Sequence, residues 1–341
     1  MSQRWLNGAA YFTALLAASW ALRAAAPFPD IPQVRQKLEA FAAETRCDVL
    51  FFGSSKIYSG IIPRQFDAAL ERRGVKVRTF NLGVDGMGFP ESAYLCEHAL
   101  KRHDGRKVEW IFIEAAGIRT AIPESQRETR RVIYWHDFHR AWTVLRVLLA
   151  DIATTSAGTK RSRGLLFEHI GLWFRRMSNI GEASEWIAAF TLGAQMAGEQ
   201  EAGHRDAFVR KERGYIPIAG RMPEREWVKF RTALGSPREA MSPQVAKVTA
   251  DVFRGFSESM KRAGATVIYL VPPNPKAHEP IFGTGAETPP VFSFDDAQRY
   301  PEFYDPAHRS DYAHLNHQGA ELFTSAVAER FAAYLTEHGA R

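Results

Sequence analysis

The chain opens on an apolar block, Trp5 to Leu22, that carries no charge over 18 residues and is interrupted only by Asn7, Thr13 and Ser19. A membrane-spanning helix needs about 17 to 25 mostly apolar residues. Arg4 and Arg23 bracket the block, and Trp5, Tyr11 and Trp20 lie in it as interfacial aromatics do. It reads first as a membrane anchor. A cleaved signal ending near Ala24-Ala25-Ala26 and a buried N-terminal helix of a soluble enzyme are the alternatives. Either of the first two places the rest of the chain outside the cytoplasm. Pro27, Pro29 and Pro32 then predict a short stiff spacer.

Beyond the spacer the hydrophobic period alternates between helix and strand. Val34 to Thr45 reads as a helix, with Val34, Leu38, Phe41 and Ala42 on one face. Cys47 to Phe52 is a short run closed by Gly53, the mark of a buried strand. Pro63 to Arg73 reads as a helix stopped by Gly74, Val75 to Leu82 as a strand, Glu91 to Lys101 as a helix and Val108 to Glu114 as a third strand. This alternation predicts a parallel sheet. From about 120 to 245 the strand series stops, and helical spacing takes over, as in Trp142, Leu145, Leu149 and Ile152. The sheet pattern resumes with a helix from Pro243 to Ala263, the strand Thr266 to Val271, and a last helix carrying Phe323, Val327, Phe331 and Leu335. The expected organisation is an N-terminal anchor or signal segment (1–26), a linker and lead-in helix (27–44), an α/β domain (45–120 with 245–341) and a mostly helical insertion (121–244).

Composition narrows the class without deciding it. Of 341 residues, 45% are hydrophobic and 24% charged, which suits a globular protein and excludes a disordered chain or a polytopic membrane protein. The net charge of +6 suits an anionic polymer or lipid as partner. No nucleic-acid-binding motif accompanies it, so nucleic acid is not expected as a partner. Cys47 and Cys96 form one bridge or none, and neither sits in a metal-binding cluster. No metal or organic cofactor is implied.

Ligands of an open parallel sheet bind in the loops after the strand ends. Those loops hold Gly53-Ser54-Ser55-Lys56, then Asn81-Leu82-Gly83-Val84-Asp85-Gly86, then Ala115-Ala116-Gly117-Ile118-Arg119; Ser310 to Asn316 precedes the last helix. A serine at a strand-to-helix turn becomes a nucleophile when a histidine takes its proton and a carboxylate orients that histidine. Asp311 and His314, three apart, have the spacing for the last two roles. A second Asp-x-x-His pair, Asp305 and His308, competes with them, but Asp305-Pro306 reads as a turn. Backbone N–H groups of Ser55 and of the Gly86 loop are candidate oxyanion donors. Asn81 and Arg119 are candidate substrate contacts. Trp135 and His136, in Tyr134-Trp135-His136-Asp137, read equally as a sugar-binding cluster and as a core edge.

These blocks, in this order, resemble the SGNH (GDSL-type) hydrolases. The resemblance implies a flavodoxin-like three-layer α/β/α fold, Ser55 as nucleophile, Gly86 as oxyanion glycine, and Asp311 with His314 as the last block. An N-terminal anchor and a Gly-Ser-Ser first block look like the membrane-tethered members that move acyl groups on cell-envelope polysaccharides, alginate-acetylation proteins among them. The implied activity is that of a serine esterase or O-acyltransferase on small acyl esters of a carbohydrate. A membrane acyl-transfer protein is an implied partner. The chain departs from the family in the third block, where Ile118 stands at the position of an asparagine donor. A binding or assembly protein without turnover is the rival reading.

Overall fold

The computed structural model describes residues 3–25, 31–102, 107–127, 129–154, 159–178, 208–234, 236, 241–276, 282 and 288–339. The expected spacer prolines Pro27 and Pro29, and Ala26 of the small-residue run, lie outside them. The chain forms two compact units: Met1–Pro32 with Thr120–Ala202, and Gln33–Arg119 with Gly203–Arg341. The boundaries differ from the expected ones at three places. The N-terminal segment belongs to the helical unit, the lead-in helix belongs to the α/β unit, and the stretch from Gly203 onward joins the α/β unit rather than the insertion.

In chain order the elements are α1 (Gln3–Ala25), α2 (Pro32–Ala42), β1 (Val49–Phe52), α3 (Ser55–Tyr58), α4 (Pro63–Glu71), β2 (Thr79–Asn81), α5 (Glu91–Arg102), β3 (Trp110–Glu114), α6 (Arg131–Tyr134), α7 (Phe138–Thr154), α8 (Thr159–Ser178), α9 (Glu224–Leu234), α10 (Pro243–Arg262), β4 (Thr266–Val271), β5 (Val291–Ser293) and α11 (His317–Glu337).

The α/β unit is built on a five-stranded, all-parallel sheet of order β2-β1-β3-β4-β5. Its central strands are largely apolar because helices cover both faces. On one face Phe51 stacks on Phe112 at 4.5 Å, and Phe66 of α4 and Phe331 of α11 meet Phe112 edge-on. On the other face Phe253 of α10 lies 4.8 Å from the Tyr269 ring and 4.6 Å from Phe89. The helices start where their caps dictate. Ser242 accepts from Val245 N–H ahead of Pro243 in α10, and Asn316 accepts from Gly319 N–H to open α11. Cys47 and Cys96 are both buried and share no disulfide, and burial pushes the Cys47 thiol pKa up, so Cys47 is an inert core group.

Two features escaped the hydrophobic pattern. Strand β5 is three residues long at the sheet edge, with only Phe292 buried, so it offers no period to read. The segment around Arg213 covers the other edge: Asn81 N–H donates to the Arg213 carbonyl at 2.9 Å, and the Arg213 guanidinium pairs with Asp67. That cover protects the open side of β2 from further pairing.

The chain runs outward from β1 to β2 and then returns past β1 to β3. The loops leaving β1 and β3 therefore part in opposite directions at the carboxyl edge, the position at which open parallel sheets bind ligands.

The helical unit has its own small core of Ile122, Val132, Ile133 and Leu172, with Val144, Val147 and Leu148 buried along α7. The expected N-terminal helix forms as α1, and Ser19 Oγ of α1 donates to the Met177 carbonyl of α8 at 2.6 Å. No helix among the described residues is long and apolar enough to cross a membrane. Asn7, Tyr11 and the indoles of Trp5 and Trp20, with Gly8, Thr13 and Ser19, dilute the hydropathy of the block.

Trp135 and His136 lie inside this unit, both buried. His169 Nε2–H donates to the Thr120 carbonyl at 2.8 Å, which leaves its Nδ1 to accept from His136 Nε2–H, also at 2.8 Å. The Trp135 ring stacks on His136 at 3.7 Å. The sequence left a sugar-binding cluster and a core edge equally open for the pair, and the structure buries both side chains. Burial, together with the charge each imidazole would present to the other, holds His136 well below the usual histidine range; burial also lowers His169. Unfolding restores the ordinary value, so the unfolded state binds more protons below about pH 6.5. The helical unit should therefore be most stable at neutral pH and lose stability as pH falls from about 7 to about 5. Thermal melts across that range test this, and His136→Gln should flatten the slope.

Candidate active site

Strand β1 ends at Gly53, where no side chain fits: a Cβ there would collide with Ile57 and with the Glu114 side chain. The turn brings Ser54 N–H to Glu114 Oε2 at 2.5 Å, and Ser54 Oγ accepts from Lys56 N–H to cap α3. Ser55 is the first residue of α3, so the turn delivers it to the carboxyl edge of the sheet.

The loop before α11 supplies the other two groups. His314 Nε2 lies 2.7 Å from Ser55 Oγ, and His314 Nδ1 lies 2.9 and 2.8 Å from the two oxygens of Asp311. Asp311 Oδ1 also accepts from the N–H groups of Ala313 and His314. Burial alone would push the Asp311 pKa up. The bond from His314 and the two backbone N–H groups outweigh it and hold the carboxyl below the usual range. An ionised Asp311 keeps the proton on His314 Nδ1, so Nε2 is the acceptor facing the serine hydroxyl. The structure thus joins Ser55 to the His314–Asp311 pair, which lies far from it in sequence, in one hydrogen-bonded chain.

The competing pair is occupied elsewhere. Asp305 accepts from Ala307 N–H at 2.8 Å as a cap, and His308 Nδ1 is 2.7 Å from the Glu302 carbonyl, to which it donates.

Arg309 fixes this loop from below. It is fully buried, donating to the Phe303 carbonyl at 2.9 Å and to the Tyr312 carbonyl at 3.0 Å, with its guanidinium 4.6 Å from the centre of the Phe230 ring. Burial lowers its pKa to about 10, which leaves it charged at neutral pH. Lys56, the residue after Ser55, donates from Nζ to Asn274 Oδ1 at 3.1 Å and so ties the turn after β1 to the loop after β4. Its ammonium pKa is pulled down by burial and supported by the Glu114 carboxylate. Arg309, Lys56, Glu114 and Asn274 were not singled out from the sequence. Glu114 alone had a signal, as a charge ending an apolar strand.

Two candidates need correction or relocation. Asn81 was expected as a substrate contact, yet it is fully buried and spent on the fold: its amide donates to the carbonyls of Ile57 and Ile61 at 2.8 and 2.9 Å, and its oxygen accepts from Gly83 N–H. It ties the end of β2 to α3 and the residues just after it. Arg119 is exposed and donates to the Gly86 carbonyl at 2.5 Å, with its side chain against Gly88. Gly86 has φ +63°, a conformation that suits glycine and turns the loop. The third block lies alongside: Ile118 pairs with Phe89 as an isolated bridge, and Arg119 N–H donates to the Phe89 carbonyl. The Ile118 side chain brings no donor.

Among the described residues no group of three or more His, Cys, Asp or Glu side chains could hold a metal ion. No protein-family model matches the chain, and a search of curated proteins finds no match.

Proposed function

We propose that the α/β unit is an SGNH-type serine hydrolase or O-acyltransferase with a flavodoxin-like three-layer fold. The hydrogen-bonded chain Ser55–His314–Asp311 carries this reading. Ser55 Oγ attacks the ester carbonyl as His314 Nε2 takes its proton. The tetrahedral intermediate collapses, the alkoxide leaves with the proton from His314, and the acyl group stays on Ser55. A water or a carbohydrate hydroxyl, deprotonated by His314, then takes the acyl group and frees the serine. Asp311 keeps the imidazole in the working tautomer and stabilises the imidazolium. Backbone N–H groups of Ser55 and Gly86 serve the oxyanion, as in the family the blocks resemble. Small acyl groups, a cell-envelope carbohydrate, an extracytoplasmic site at a membrane and a membrane acyl-transfer partner carry over from that resemblance alone.

Ile118 favours a second reading, a polysaccharide-binding or assembly protein. Loss of one oxyanion donor costs about 10²- to 10³-fold in rate. The two readings separate on a fluorophosphonate probe. The wild type should label, Ser55→Ala should not, and Ser54→Ala should retain labelling because Ser54 acts only as a cap, worth about 1 kcal/mol. An unlabelled wild type overturns the enzyme reading in favour of the binding protein.

A further inference from the structure

We propose that the helical unit lies on an anionic phospholipid surface, its exposed apolar stripes seated at the boundary between headgroups and acyl chains. The argument starts on α8. Lys160, Arg163, Phe167, Ile170, Phe174 and Met177 are spaced 3, 4, 3, 4 and 3 residues apart, which puts them on one side of the helix. All six are exposed, Phe167 at 71%. The opposite side, with Ser162, His169 and Leu172, is buried. The exposed side is thus apolar over three turns and basic at its start, with Arg161 and Arg175 exposed beside it.

The neighbouring helix repeats the pattern. Phe138, Trp142 and Leu149 of α7 are exposed, spaced 4 and 7 residues apart on one face. The Phe138 ring contacts Trp173 of α8 at 6.2 Å, so the two helices form one body. The acids of the pair are engaged within the unit. Asp137 pairs with Arg140, Asp151 accepts from Ser162 Oγ, and Glu168 pairs with Arg127. What faces outward is large apolar side chains among cations. Exposed apolar patches of this kind mark interaction sites, and aromatic plus basic faces suit the membrane interface. A second copy of the chain is disfavoured as occupant, because it would set the same cations against each other. Anionic headgroups meet them with the opposite sign. This attachment needs no helix to cross the bilayer, and it is independent of the acyl-transfer reading.

Flotation of the full-length chain with vesicles tests it, using phosphatidylcholine alone against phosphatidylcholine with phosphatidylglycerol. The wild type should bind the anionic vesicles more tightly, and added salt should weaken that binding. Lys160→Gln with Arg163→Gln should lower partition onto anionic vesicles roughly 30-fold. Phe167→Glu with Phe174→Glu should lower it at least about tenfold. Both pairs of substitutions are at exposed positions, and an unchanged circular dichroism spectrum shows that the fold persists. Equal partition of the wild type onto both vesicles overturns the proposal. So does a phenylalanine variant that floats like the wild type, which would assign attachment to α1 alone. A concentration-dependent dimer without vesicle binding, lost in that variant, would assign the face to a second copy.

Discussion

His314→Ala is expected to lower kcat on a small acetyl ester by about 10⁴- to 10⁶-fold, while His308→Ala leaves it essentially unchanged. Only His314 places Nε2 against Ser55 Oγ, at 2.7 Å; His308 spends Nδ1 on a backbone carbonyl of its own loop. A residue acting with its partners as one unit loses nearly the whole advantage when any member is removed. Asp311→Asn should cost about 10⁴-fold, although the shape is kept. An amide in place of the carboxylate can donate to Nδ1, which favours the tautomer with its proton on Nε2, the wrong nitrogen for accepting from serine. KM should move little in these variants, because none of the three groups is asked to bind the substrate's remote parts. Steady-state kinetics on the purified chain check all three substitutions. Retained turnover in His314→Ala with loss in His308→Ala would move the base to the first pair.

The site was readable where local spacing carries it and unreadable where topology does. Gly53 at the end of an apolar run located the β1 turn, and the glycine loop after β2 could be found the same way. Asp311 and His314 sit three residues apart, so one loop can hold both. The role of Asn81 was invisible, because a polar residue at a strand end looks the same whether it faces a ligand or staples a backbone. Only the carbonyls of Ile57 and Ile61 distinguish the two. Trp135 and His136 stayed open between two readings for a related reason: a polar-aromatic cluster has no period that says which side is buried. The domain boundary near Gly203 was lost because α9 has ordinary amphipathic spacing, and nothing local says that Phe230 packs under Arg309. Strand β5 was too short to register.

Arg309→Met should destabilise the α/β unit by roughly 3 kcal/mol and, on the proposed hydrolase reading, lower kcat as well, through the loop that carries Asp311 and His314. The guanidinium donates to the Phe303 and Tyr312 carbonyls and, from Nε, to the Asp311 carbonyl at 3.4 Å, and it lies over the Phe230 ring. Methionine fills much of the volume but donates nothing, so the buried Phe303 carbonyl loses its donor at about 1 to 3 kcal/mol, and the part-buried Tyr312 carbonyl loses its donor at a smaller cost. Arg309→Lys keeps the charge but cannot fork to both carbonyls in the plane of a guanidinium, so it should rescue only part of the loss. The effect on chemistry follows from position along the chain. Arg309 grips Tyr312, which lies between Asp311 and His314, and its own carbonyl accepts from Met222 N–H. Releasing that grip lets the Asp311–His314 pair drift from Ser55, and a displacement of about 1 Å costs about 10²-fold in rate. Two readouts separate positioning from mere unfolding. Chemical denaturation gives the stability loss, and kcat measured at a temperature where the variant is still folded gives the catalytic one. A variant that melts early yet turns over normally when folded would leave Arg309 a purely structural residue. A normal melt would remove it from both roles.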